Sequence, residues 1–482
     1  MPLRKGAGAL LLGLGLLSAC ADDIPGVAPP LDQLYFPHAL LVDPDAGRLL
    51  AVSSNFDQRY NAGRIHAFDV AGLLALIPED RSQVHFIESY GAAHLGSLRV
   101  DQFGGDLVLT DPIQTASAAD PVRRVLLPSR GRNLLTLLDY RPDAPMPLSC
   151  GVAPEAPSRF DCAEARSVNT GDQDPFSVAA FTARDGTPLA SVVHLRSVRN
   201  TAEIYRQSLS TVNLQRFAQR AEASDPEALE SPVRTQTFNM GGMTGVAFLP
   251  PGALGLEQGQ GEGTVVTLGA ALTTSLLLNG FRMSELGAGE FGVGSIADKV
   301  LSLSGAANAR ASRGMVYDAA RGRLYLSLRF QETADSFNSA IAVVDPTGSD
   351  FTLVNLEEVG EELGRPSLRV DAAGTRLLYV PDIRRHAVWI VNVTTDQPKV
   401  LHKIEGVGTR DFSGTPVQVR LLNAPTQIAF ADDGQGNTYA FVSNFGNSTL
   451  AVVDVTDPDP RRHAVVARLG RDINAEGDKE GP

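Results

Sequence analysis

The chain has 482 residues, 20% of them charged, and a formal charge of −13. That acidic balance excludes general nucleic-acid binding, which needs a basic face to displace counterions from phosphate. Three cysteines and eight scattered histidines, no two of the histidines three to five residues apart, exclude the usual zinc-binding spacings.

The first element in chain order is MPLRKGAGALLLGLGLLSAC. Arg4 and Lys5 give it a cationic start, residues 6–17 carry no charge, and small residues lead directly to Cys20. The uncharged run is shorter than the roughly 20 residues a bilayer-spanning helix takes. The three-part pattern therefore predicts a cleaved export signal over residues 1–19. Leu17-Ser18-Ala19-Cys20 resembles the bacterial lipobox. That resemblance implies that Cys20 is diacylated by palmitate-type chains and becomes the new N-terminus, tethering the protein to a membrane. Without Arg4 and Lys5 the formal charge is −15. Residues 20–30, which include ADDIPGVAPP, read as a tether with little to bury. Ala21, not an acidic residue, follows the cysteine, which resembles an outer-membrane address in the enterobacterial sorting pattern. The expected location is the bacterial cell envelope, on the periplasmic or surface side of that membrane.

From residue 31 to about 470 one unit recurs, and internal repeats decide fold class before anything else. FPHALLVDPDAGRLLAVSSN with GRIHAFDV (residues 36–70) contains two alternating strands, a turn and a third strand. Weaker copies follow. One pairs residues 98–109 with 123–140, another joins 174–195 to STVNL, and a third starts at MTGVAFLPPG (243–252). The clearest copies close the series at 313–345, 365–393 and 424–455, the last with a fourth strand over 463–469. Seven short-stranded units with Asp/Gly turns predict an all-β, seven-bladed propeller with four-stranded blades. Residues 471–482 read as a polar C-terminal tail. Asp43-Pro44-Asp45, Asp371 and Asp432-Asp433 recur at the same turn, which favours hairpin chemistry over calcium ligation.

The last copy carries a family likeness. Phe441-Val442-Ser443-Asn444 followed by NSTLAVVD resembles the YVTN-type propeller repeat, closely in the first and last three units and poorly in the middle three. Propellers of this type host binding modules, lactonases and redox enzymes alike, so the likeness speaks to fold and not to function.

Two insertions interrupt the repeat, at residues 141–172 and 215–241. Cys150 and Cys162 lie in the first, within CGVAPEAPSRFDC, and in an oxidising compartment are expected to form a disulfide. SDPEALESP in the second reads as a polar segment with a helical turn. Gly287 to Gly292 matches G-x-G-x-x-G but lacks the strand–turn–helix setting and the later acidic residue of a dinucleotide site. No cofactor, metal or nucleic-acid partner is expected, and no serine-hydrolase elbow or Walker loop occurs.

In a propeller register, loops leading into each first strand share a face with loops following each second strand. Those positions hold His38, Asn55, Arg130, Arg132, His194, Arg196, Arg313, Arg329, Arg365, Arg384, His386 and Asn444 as the candidate ligand face. Arginine forks suit carboxylate, phosphate or sugar-acid groups, unless each is spent on a nearby carboxylate. The leading expectation is an anchored binding scaffold for a partner protein or anionic glycan. The alternative is a lactonase-like hydrolase in which His38, Arg313 or His386 polarises an ester at the channel mouth. A third is a structural envelope subunit, marked by an exposed apolar patch on the propeller's side.

Overall fold

In a computed structural model, the described residues are 27–115, 120–150, 160–195, 207–238, 243–251, 262–270, 276–287, 289–303, 309–331, 337–412 and 415–472. Cys20, Arg196, the Gly-rich stretch at 252–261 and the tail from 473 lie outside them.

Seven antiparallel sheets, each built from strands consecutive in sequence, form the blades of a propeller. Their second strands read as nearly unbroken apolar runs, such as RLLAVS in Arg48–Ser53 and RLLYVPD in Arg376–Asp382. The reason is burial on both sheet faces. In blade 1, Leu49 and Ala51 pack towards blade 7, whereas Leu50 and Val52 pack towards blade 2. Repeating this alternation around the ring produces seven apolar clusters, one between each neighbouring pair of blades. Stability is therefore distributed among interfaces between blades, as the physics of stacked repeats requires.

Two boundaries differ from the sequence expectation. Residues 98–109 are not one strand: His94–Val100 is the outermost strand of blade 1, and Val108–Leu109 is the innermost strand of blade 2. The turn at Gly104-Gly105 separates them because the chain passes tightly over blade 3. A Cβ on Gly105 would lie 2.1 Å from the Phe176 carbonyl oxygen. Three blades also gain a short fifth strand: Leu148–Ser149 in blade 2, Lys299–Ser302 in blade 4 and His85–Ile87 in blade 7.

The last of these closes the ring. His85–Ile87 belongs to an excursion between the third and fourth strands of blade 1, yet pairs in parallel with Ala467–Leu469 of blade 7. Arg468 lies over the Phe86 ring and bonds Asp472, while Arg410 of the Val407–Phe412 and Thr415–Arg420 hairpin pairs with Glu88. On the inner side, Leu40 N–H donates to Gln427 Oε1 at 3.1 Å and Thr426 Oγ1 donates to the His38 carbonyl at 3.2 Å.

The two insertions meet on the rim of blades 2 and 3. Cys150 and Cys162 are bonded to each other. Leu214–Glu222 is a helix that sequence periodicity could have revealed. Asn213 caps it, and Leu214, Phe217 and Ala218 line its buried face at i, i+3 and i+4. The SDPEALESP segment contains a single helical turn, Pro226–Ala228. Gly287 to Gly292 is the hairpin joining Leu276–Gly287 to Glu290–Val293, not the start of a helix.

Candidate functional site

The loops predicted to share a face do so, because each first strand pairs antiparallel with its second strand, as in Pro37↔Ser53 and Pro425↔Asn444. At the centre of this face the channel mouth is bounded by His38, Asp106, Phe176, Gly364, Arg365, Ile383, Thr426 and Gln427. Arg365 reaches across from blade 6 to Asp106 of blade 2 at 2.9 Å. Asp106 also accepts from Ser177 Oγ at 2.5 Å. The space left is about 20 Å³, enough for one water molecule and far below the roughly 300 Å³ at which small-molecule pockets begin. The mouth is closed by an ion pair.

Among the described side chains, four other candidate arginines are similarly engaged. Arg130 pairs with Asp174 at 3.0 Å and lies over the Phe176 ring. Arg329 and Arg384 both reach Glu362 at 3.4 Å. Arg132 stacks on Phe160, 4.4 Å from its centroid, with Asp101 at 4.0 Å. Arg313 lies in the innermost strand of blade 5, Ala309–Asp318. Of the two readings open from sequence, a cationic face or arginines spent on nearby carboxylates, the described arginines follow the second. The carboxylates were missed because they come from other blades or from links between blades.

Several candidates are structural latches. Asn444 ends the second strand of blade 7. Its Oδ1 accepts from Asn423 N–H, and its Nδ2 donates to the Leu421 carbonyl. His194 holds the same place in blade 3 and contacts the Gln173 carbonyl at 3.1 Å and Ser210 Oγ at 3.0 Å. Asp382 in blade 6 accepts from Glu361 N–H and Glu362 N–H, and Ser53 in blade 1 accepts from Tyr35 N–H. Each ties the link entering its blade to the end of the second strand. All four side chains are buried. Asn55 likewise serves its own loop, bonding the Tyr60 backbone through both Oδ1 and Nδ2. His386 accepts the Ala424 N–H on Nδ1 at 3.0 Å. The recurrent polar residue at the end of the second strand therefore marks a fold position.

What the face does present is aromatic. Phe36 and Phe445 are 5.1 Å apart between ring centroids, Phe56 and Phe445 5.4 Å, and Phe56 and Phe103 6.0 Å, with His38 beside Phe445 at 6.4 Å. These separations fall in the range of favourable edge-on ring pairs. Phe56 is 55% exposed. Phe36 and Phe103 have φ of +48° and +54°, a region costly for bulky side chains. Hydrogen bonds hold both there: Phe36 N–H to Ser448 Oγ, and Phe103 N–H to the Ser54 carbonyl. Asp174 and Ala424, which also precede prolines, share the bend, so at Phe36 the strain belongs to the repeat. The ring that it carries belongs to blade 1. The signal was present in sequence as Asn55-Phe56 and Asn444-Phe445, a phenylalanine directly after each polar turn residue.

Burial lowers the pKa of His66, His94, His194, His386 and His463. His66 is wholly buried and contacts His94 Nε2 through Nδ1 at 3.3 Å. The unfolded chain, whose histidines titrate near 6.5, binds more protons than the native state below that pH. Stability from these groups is full above the ordinary histidine range and is lost as pH falls through it. Urea midpoints are therefore expected to drop steadily between pH 7.5 and 5.5, with a shallower drop for His66→Phe. A flat profile would contradict the buried neutral state.

Among the described residues, no group of three His, Cys, Asp or Glu side chains is placed to hold a metal ion. A cavity of about 830 Å³ is on the rim beside the first insertion and is lined in part by Arg132, Phe160, Glu164 and Arg220.

No family model matches the chain, and no curated protein sequence matches it. Among solved structures it is similar to one provisionally assigned as a 6-phosphogluconolactonase, from Bacteroides uniformis. The two are 13% identical with a TM-score of 0.40, over 79% of this chain and 88% of that one. A likeness at this level carries no argument about activity. On its own geometry, the chain is a seven-bladed β-propeller with a closed channel mouth and an aromatic loop face.

Proposed function

We propose that this protein is a lipid-anchored binding scaffold of the bacterial cell envelope, tethered through Cys20 to the outer membrane, which acts by surface contact and not by chemistry in its channel. The observation that carries the reading is the mouth itself: the Arg365–Asp106 pair leaves about 20 Å³, while in the ring cluster of the same face Phe56 is exposed and the others are half-buried. A sugar lactone has no room there, which argues against the hydrolase alternative. An anionic glycan loses support as well, because Arg130, Arg132, Arg329, Arg365 and Arg384 already face carboxylates. The contact surface that fits is apolar and aromatic, centred on Phe56.

Two measurements test this. Metabolic labelling with a palmitate analogue is expected to mark the full chain and to be abolished by Cys20→Ser. A photoreactive phenylalanine analogue at Phe56 in intact cells is expected to label the surface that this face meets, whereas one at Ile383 in the mouth labels nothing. Lactone hydrolysis by the purified protein that disappears in both His38→Ala and Arg365→Ala would overturn the scaffold reading.

A further inference from the structure

The chain comes onto the propeller at a particular place. Val27, the first described residue, bridges Tyr60, and its carbonyl accepts from Asn61 N–H at 3.2 Å. Tyr60 lies in the same loop as Phe56, and Asn55 holds that loop closed. From Val27 the chain crosses blade 1, where the Leu31 carbonyl accepts from Ser97 Oγ at 2.6 Å, before Leu34 and Tyr35 enter the core. Three large apolar side chains stand open beside this path: Leu31 at 66%, Phe56 at 55% and Val27 at 53% exposure.

Val27 follows Cys20 by seven positions. Fully extended they span at most about 25 Å, since each residue contributes roughly 3.5 Å. Blade 1's loop thus lies within that distance of whatever surface holds the lipid, and the exposed apolar side chains lie at the near end. The opposite face carries the Asp-rich hairpin turns, such as Asp371 to Thr375 and Asp433 to Asn437.

We propose that the loop face of blade 1 rests on the bilayer, with Phe56 and Val27 entering the boundary between headgroups and acyl chains. The proposal depends on the lipid anchor at Cys20 and names the surface that the aromatic face meets. Amphipathic and apolar side chains at this depth gain from leaving water without crossing the membrane. The formal charge of −15 left once Arg4 and Lys5 are removed makes the docking apolar in origin, so it is strongest on zwitterionic lipid and weakened by anionic lipid. Docked in this way, the propeller turns its hairpin face and rim insertions away from the membrane, towards protein partners.

The test uses the full lipidated chain in phosphatidylcholine vesicles containing brominated lipid, a short-range quencher. The native emission comes from Trp389 alone, the single tryptophan of the chain, and supplies the baseline. The added emission of Phe56→Trp is expected to be quenched severalfold more than that of Ala373→Trp on the opposite face, and less so when phosphatidylglycerol replaces half the lipid. Equal quenching of the two reporters in protein that floats with the vesicles overturns the docking and leaves the anchor standing. Protein photo-adducts at Phe56 would then identify a polypeptide as the occupant of this face. Protein that fails to float, with no acyl mass on Cys20, overturns the anchor and the docking together.

Discussion

Asp139→Ala lowers the unfolding free energy by about 3–5 kcal/mol, the range for removing one partner of a buried ion pair. Asp139 accepts from Arg124 of the neighbouring strand and, at 2.6 Å, from Arg166 at the end of the first insertion. Arg124 also reaches Glu222, the last residue of the helix at Leu214–Glu222, and Thr115 Oγ1 donates to Glu222 at 3.0 Å. The Arg124 and Arg166 side chains are 1% and 7% exposed. Without Asp139 two guanidiniums face each other out of water, a larger cost than the lost hydrogen bonds alone. Asp139→Asn keeps the shape and one acceptor, so it should fall between the two. Equilibrium urea unfolding reads the effect directly; a loss below about 1 kcal/mol would place these ions in solvent.

Asp382→Ala is the second large effect. The Asp382 carboxylate accepts four N–H donors: Glu361, Glu362 and Arg385 on the backbone, and Trp389 Nε1 at 3.1 Å. Alanine leaves these donors unmatched in a site whose own side chain is fully buried. A cost of about 3 kcal/mol or more follows from the desolvation of several unpaired groups. Because Trp389 is the only tryptophan, the same substitution should shift the native emission spectrum before any unfolding. Asp382→Asn keeps one accepting oxygen but turns an NH2 towards the other two donors, so its stability is expected to fall between those of the native protein and Asp382→Ala. An unchanged spectrum and midpoint in Asp382→Ala would show that the latch carries little load.

The fold was legible because its cause is periodic. Short strands, Asp/Gly turns and a repeat of the same order can be counted along the chain, and blades are built from consecutive strands. The site was legible only as a set of positions. Sequence placed Arg130, Arg329, Arg365 and Arg384 on one face but could not pair them. Asp106 lies in the link before blade 2, and Glu362 in the link before blade 6, so their partners are fixed by ring closure. His194 and Asn444 were misleading for a different reason: a polar residue that closes a turn looks, in sequence, like one that awaits a ligand. His85–Ile87 was unreadable as a clasp, since three residues with no pattern of their own pair with a strand some 380 positions away.

That clasp has a bearing on how the molecule is made. His85–Ile87 is synthesised near the beginning, and its partner Ala467–Leu469 near the end. In a chain delivered from its N-terminus, the early blades can stack as they appear, but the seam between blades 7 and 1 stays open until almost the last residues arrive. During that interval blade 1 presents Leu49, Phe68 and Leu73 without a neighbour. Closure is thus a late, long-range step, slow for reasons of chain entropy. A protein shortened by its last strand would lose the clasp, together with Val466, Ala467 and Leu469 of the core between blades 7 and 1.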